Sequence, residues 1–226
     1  MPSRHAALHS WIMATIAKPR LRGVSHQVAF YVASVSGILL VASMAHTGRA
    51  VGATAVYVAL LAGMFGVSAL YHRIDWSPRA FGWLRRADHA MIFACIAGTY
   101  TPFCVLAVEP GVGTRLLALA WTGAALGILR AMLWPLAPRA LMTLLYVAVG
   151  WIGIAHLPEV HAAVGSVSFV LLIAGGAWFT LGALVYALKR PDPVPAVFGY
   201  HEVFHLLIIL GCACHFVAVA RVALAS

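Results

Sequence analysis

The stretch YHEVFH, Tyr200 to His205, places two histidines four residues apart at the head of a long apolar run, HEVFHLLIILGCACHFVAVARVAL. On a helix, His201 and His205 differ by about 40° in phase and one turn in height, so both imidazoles can reach one ion. The hexapeptide also contains HExxH, the pattern of zinc proteases, in which the glutamate activates water. Glu202 falls about 80° from the mean direction of the two histidines, a geometry that HExxH enzymes share. Position argues against a protease: the motif opens an apolar span, and a glutamate in a first helical turn suits the helix dipole. Other polar groups also lie within apolar runs. GVSALYH carries Ser68 and His72 at i and i+4, RRADHAMIF carries Asp88 and His89, and His215 follows later in the last run.

Composition says what kind of element holds these groups. The 226 residues are 63% hydrophobic and 9% charged, with a mean hydropathy of +0.94. A soluble domain is nearer half apolar and a quarter charged, so the solvent for most of this surface is lipid. Seven stretches reach the roughly 20 apolar residues a span requires: 27–46, 51–72, 88–108, 114–133, 140–157, 164–188 and 199–222. The expected fold is all-α, a polytopic membrane protein built as a seven-transmembrane-helix bundle. Residues 1–26 form a cytoplasmic N-terminal segment, 27–222 a single membrane domain and 223–226 a C-terminal tail. The basic N-terminus has no apolar core or small-residue cleavage site of the signal-peptide kind. Cys95, Cys104, Cys212 and Cys214 all lie in apolar runs and read as small apolar fillers.

Fifteen Lys and Arg against six Asp and Glu give a formal charge of +9. No basic groove or stacking motif accompanies it, so nucleic acid is not an expected partner. The basic residues instead orient the bundle. With the N-terminus inside, the inner segments hold Arg4, Lys18, Arg20, Arg22, Arg73, Arg79, Arg85, Arg86, Arg130, Arg139, Lys189 and Arg190; the outer ones hold only Arg49, Arg115 and Arg221. The N-terminus is therefore expected in the cytoplasm and the C-terminus outside. Span 2 then ends, and spans 3 and 7 begin, on the cytoplasmic side, which brings His72, Asp88, His201 and His205 to one depth. Ionisable groups at membrane depth face the bundle interior. His72, His201 and His205 make three nitrogen ligands, the count of a catalytic zinc site with one open position. Ser68 would hold the fourth-position water or orient a ligand, and Asp88 would support a histidine or accept a proton. His215 is too far along its helix for that set and is expected to be hydrogen-bonded in the interior. His26, His46, His156 and His161 lie at span ends and read as interfacial; Pro102 predicts a kink in span 3.

KPRLRGVSHQ (Lys18 to Gln27), SALYHRIDW (Ser68 to Trp76), RRADHAMIFACIAGTYTPF (Arg85 to Phe103) and RPDPVPAVFGYHEVFHLL (Arg190 to Leu207) together resemble the bacterial hemolysin III family, within the progestin and adipoQ receptor superfamily that includes the adiponectin receptors. The resemblance covers roughly residues 18–223. It implies seven transmembrane helices, a cytoplasmic N-terminus and a bacterial inner-membrane location. It also implies zinc held by His72, His201 and His205, with Ser68 and Asp88 at the family's serine and aspartate positions. Glu202 is not among the family's ligands, and the long cytoplasmic N-terminal domain of the adiponectin receptors has no counterpart, which argues against hormone reception.

Three functions follow as expectations. The first is a ceramidase-like zinc hydrolase acting on a lipid amide, with membrane lipid as substrate. The second is a non-enzymatic membrane-homeostasis regulator or receptor, in which zinc staples helices and lipid is a ligand. The third, suggested by the family name, is a pore-forming cytolysin. It ranks last because a secreted pore-former needs an export signal and a soluble form.

Overall fold

Gly23 adopts φ 77° and ψ −4°, a left-handed turn, and helix α1 (Val24–Ser43) starts directly after it. The structure, a computed structural model, describes residues 18–44 and 48–226. Six α-helices follow: α2 (Gly48–Arg73), α3 (Pro78–Leu106), α4 (Pro110–Leu133), α5 (Arg139–Gly150), α6 (Leu157–Leu188) and α7 (Tyr200–Ala225). A 3-10 helix, Ile152–His156, joins α5 to α6. Among the described residues there is no strand, only an isolated bridge between Val194 and Phe198.

Local chemistry sets the helix starts. Ser77 accepts the Ala80 N–H, and Pro78 occupies the first turn of α3, a standard start signal. The helix therefore begins ten residues before the expected span, and the connection expected between the spans 51–72 and 88–108 is helical from Pro78 onward. It also runs on past Pro102, which lies near its C-terminal end. Glu109 caps α4 by accepting the N–H groups of Gly111 and Val112. Those two bonds, Gly111 first, hold its carboxyl below the usual carboxylate range.

Six helical segments are long and apolar enough to cross a membrane: α1, α2, α3, α4, α7 and the 50-residue stretch Arg139–Leu188. That last stretch folds back on itself. The Arg139 guanidinium lies 4.9 Å from the centre of the Tyr186 ring, and Trp151 Nε1 donates to Thr180 Oγ1 at 3.0 Å. Both pairings centre near Gly165, where φ 73° and ψ 162° break α6. A left-handed φ is one that glycine adopts without a side-chain clash.

The outward faces are apolar. On α1, Val28, Val32, Val35, Ile38 and Leu39 are exposed, while the inward stripe is His26, Ala29, Ala33, Gly37 and Leu40. Small inward residues let helices approach closely, the usual packing mode in lipid. Consecutive helices pack on one another, and α7 additionally touches α1, α2 and α3, closing the bundle. Tyr57, Leu61, Phe65, Phe103, Cys212 and Val219 belong to the cluster at its centre. This is a multi-pass membrane protein.

The segment before α1 clasps one end of the bundle. Backbone N–H groups of Arg20 and Leu21 donate to the carbonyls of Ala196 and Val197, both at 3.1 Å. Lys18 Nζ meets Asp75 Oδ1 at 2.7 Å, an ammonium that holds the Asp75 carboxyl below its usual range. Arg22 Nε donates to Glu202 Oε1, and Glu202 Oε2 accepts the Gly199 N–H at 2.8 Å. A Cβ on Gly23 would lie 2.7 Å from His72 Cβ, so the left-handed turn packs directly against α2. Residues 18–23 thus bind the α2–α3 turn and the α6–α7 connection into one unit.

Glu202→Ala leaves the Arg22 guanidinium without its carboxylate. Breaking a buried pair costs roughly 3–5 kcal/mol, and Arg22 is 21% exposed, so the expected loss is near the lower end, about 3 kcal/mol. Denaturant unfolding of the purified protein should show this as a lower midpoint, with Arg22→Ala moving it the same way. An unchanged midpoint for Glu202→Ala would show that the clasp does not hold α7.

Candidate functional site

Helix α7 starts beside the clasp. The Tyr200 N–H is accepted by Asp192 Oδ1 at 2.8 Å and the Gly199 N–H by Glu202, which fixes the first turn. His201 and His205 project from that turn and the next. His72 is the penultimate residue of α2, with Ser68 one turn earlier.

The three predicted ligands come together. Donor atoms of His72, His201 and His205 all lie within 4.8 Å of one another, a set that could hold a metal ion. His201 Nε2 and His72 Nε2 are 3.2 Å apart. Ring centroids are separated by 4.7 Å for His72–His201, 5.1 Å for His72–His205 and 4.5 Å for His201–His205. His205 is 1% exposed and His72 8%. Buried polar groups are normally hydrogen-bonded, yet His205 Nδ1 has no partner among the described residues.

All three histidines line a cavity of about 990 Å³, and so do Ser68 and Asp88. Asp88, ten residues into α3, faces the Ser68 hydroxyl. Leu61, Ile92, Phe103, Leu116, Phe179 and Ile208 are among the side chains that make the rest of the wall largely apolar. A polar cluster at one end of a mostly apolar concavity is the usual form of a small-molecule site.

His26 overturns its expectation. It is not interfacial: its side chain is 4% exposed and its ring stacks on His205, centroids 3.7 Å apart and planes within 7°. Its Nδ1 lies 2.9 Å from Ser68 Oγ, so Ser68 is tied to a histidine outside the triad. The reading failed because α1 begins three residues before the expected span, which puts His26 inside the first turn. The spacing of His26, Ala29, Ala33 and Gly37 marks His26 as facing inward, though not as a neighbour of His205.

The remaining polar groups stay apart from the triad. His89 Nδ1 meets the Tyr146 hydroxyl at 2.8 Å, and His215 Nε2 meets the Leu172 carbonyl at 3.1 Å, buried and bonded as expected. His156 approaches Glu159 at 3.5 Å, and His161 Nε2 lies 3.1 Å from Ser166 Oγ. His46 lies outside the described residues. The cysteines are free thiols. Glu202, 1% exposed, has one oxygen on Arg22 and the other on Gly199. Both oxygens are engaged in holding the fold, so HExxH here is two metal-ligand candidates flanking a structural carboxylate.

Comparison with known proteins identifies the family. The family described as Haemolysin-III related matches residues 14–216. Hemolysin-3 of Bacillus cereus is 31% identical over 183 residues, covering 80% of each chain. The Hemolysin-3 homolog of Bacillus subtilis (strain 168) is 27% identical over 210 residues, covering 92% of this chain and 95% of its own. Six apolar helical segments, a histidine triad at one end of the bundle and a family match over most of the length lead to one conclusion: the chain belongs to the haemolysin-III-related family, within the progestin and adipoQ receptor superfamily.

Proposed function

We propose that this protein is a zinc-dependent hydrolase of a membrane lipid amide. The observation that carries the reading is the meeting of His72, His201 and His205 on the wall of a cavity that also presents Ser68 and Asp88. Two nitrogens on one tetrahedral zinc stand roughly 3.3 Å apart, given Zn–N bonds of about 2.0–2.1 Å. The 3.2 Å between His72 Nε2 and His201 Nε2 suits that spacing. Three imidazoles and no thiolate form a donor set of the catalytic rather than the closed structural kind.

Zinc held by His72, His201 and His205 would supply a Lewis acid for a carbonyl and would lower the pKa of a bound water to about 7. The chain's residues do the rest. The Asp88 carboxylate takes the proton released by the attacking water and delivers it to the amine nitrogen as the C–N bond breaks. Water's oxygen ends on the acyl carbon, and its protons are shared between the two products. Ser68, held by His26, orients the substrate's polar link beside the histidines. The apolar wall receives the acyl chain and keeps bulk water from the reacting atoms.

We further propose seven crossings, with the N-terminus and the site end in the cytoplasm of the bacterial cell. A 50-residue helix would extend about 75 Å, against about 30 Å of hydrocarbon, so the fold-back at Gly165 makes two legs. The clasp end also carries Lys18, Arg20, Arg22, Arg73, Arg85 and Arg139, the side on which positive charge concentrates.

Three measurements test these readings. Metal analysis of the purified protein should give about one zinc per chain, falling close to zero in His201→Ala and His205→Ala. Wild type without bound zinc would remove both the hydrolase and a zinc-stapled regulator. Asp88→Asn should keep zinc but lower lipid-amide turnover by roughly 10²–10⁴, the range for a lost general base. Zinc retained with no turnover on any lipid amide, in wild type as in variant, would instead favour the non-enzymatic regulator. A reporter active only outside the cytoplasm, fused after Ser226, should be active; an inactive fusion with an active N-terminal one would invert the topology.

A further inference from the structure

A second, smaller pocket of about 200 Å³ lies beside the site, between α3, the end of α4, the α4–α5 connection and the start of α5. Arg85, Arg130 and Arg139 line it, together with His89, Met142 and Tyr186, and no carboxylate does. The absence extends to the whole chain, whose six Asp and Glu are all engaged elsewhere. Asp75 pairs with Lys18, Glu202 with Arg22 and Glu159 with His156. Glu109 caps α4, Asp192 holds the Tyr200 N–H, and Asp88 faces Ser68 on the wall of the large cavity. Among the described residues, then, three guanidiniums share a small pocket with no internal counter-ion.

Arg130 is the least satisfied. Its Nε and Nη2 are buried without a partner, and its guanidinium lies 5.7 Å from the centre of the Trp134 ring. Arg139 lies against Tyr186 and Tyr200 and donates from Nη1 to the Tyr200 hydroxyl at 3.4 Å. Neighbouring Arg86, by contrast, is spent on the Met132 and Gly82 carbonyls. A buried guanidinium with idle donors is costly until an acceptor arrives. The acceptor whose tetrahedral oxygens match several guanidinium forks is phosphate.

The surroundings distinguish a lipid phosphate from a free one. Leu133, at the end of α4, and Trp134 and Leu136, beside the lining residues Pro135 and Ala137, form a rim and are 75%, 52% and 76% exposed. In a membrane protein such a rim belongs at the hydrocarbon boundary, with tryptophan at headgroup level. Basic pockets between transmembrane helices are where anionic headgroups dock. We propose that Arg85, Arg130 and Arg139 bind the phosphate of an anionic phospholipid headgroup, whose acyl chains lie along the exposed face of α4. Arg85, His89, Arg139 and Tyr186 also line the large cavity, so the bound headgroup adjoins the histidine site. The proposal does not depend on the metal.

The test is native mass spectrometry of the full chain, stripped of lipid and titrated in micelles with phosphatidylglycerol, phosphatidylcholine or inorganic phosphate. One phosphatidylglycerol per chain should bind roughly tenfold or more tighter than phosphatidylcholine, and Arg130→Gln or Arg85→Gln should each weaken it roughly tenfold. Arg130→Lys, which keeps the charge but loses the fork, should fall between. Phosphatidylglycerol should also raise the Tm of the wild type more than phosphatidylcholine does, a readout independent of whether a variant folds. Equal retention by wild type and variants, or equal Tm shifts with both lipids, would overturn the proposal. Displacement of phosphatidylglycerol by millimolar inorganic phosphate would overturn the lipid assignment in favour of a free-anion site.

Discussion

Arg22 and Glu202 are 180 residues apart in sequence and in contact in the fold. A carboxylate as buried as Glu202 persists only if it is paired and its remaining lone pairs are bonded. Arg22 and the Gly199 N–H meet that requirement together, and in doing so fix the start of α1 against the first turn of α7. Gly23, the next residue, lies against His72 at the end of α2. One ion pair and one glycine therefore set the relative height of three helix ends, and the three imidazoles meet because those ends are level. The glutamate of the HExxH pattern contributes to the site through this placement.

Away from the clasp, the bundle is held by close contact between apolar surfaces. Inward stripes are rich in Ala and Gly, outward faces carry Val, Leu and Ile, and consecutive helices pair. The reversal at Gly165 has a particular effect. It sends α6 back beside α5 and then against α7, leaving the large cavity between these helices and α3. Fold and site are linked there: a straight continuation through Gly165 would remove one wall of the cavity.

Much of this was legible in the sequence, and the exceptions have physical reasons. Apolar run length located most helices to within a few residues. The third starts early because the Ser77–Pro78 signal carries helix into a basic, less apolar stretch. His72, His201 and His205 could be grouped because spacing and charge bias together put them at one depth. His26 could not be grouped the same way, since its importance rests on a stacking contact with His205 that no local pattern encodes. The role of Glu202 stayed open for a related reason: the pattern HExxH is local, but its partner Arg22 lies in a segment that reads as a mere basic tail. A reversal was expected between the spans ending at 157 and starting at 164; it falls slightly later, at Gly165, because Pro158 is accommodated in the first turn of α6 and glycine supplies the left-handed φ.

The histidine set also fixes an order of assembly. His72 meets His201 across 129 residues, and chains are built from the N-terminus, with closure of such long loops coming late. When α2 is complete, His72 has no member of its set beside it, and Glu202 does not yet exist to receive Arg22. Four further helices are synthesised before the two ends of the clasp can meet. A chain that stops anywhere before Tyr200 carries at most one histidine of the three and lacks the α7 wall of the cavity. Completion of the last helix is thus the event that creates the site, so that its chemistry belongs only to finished molecules.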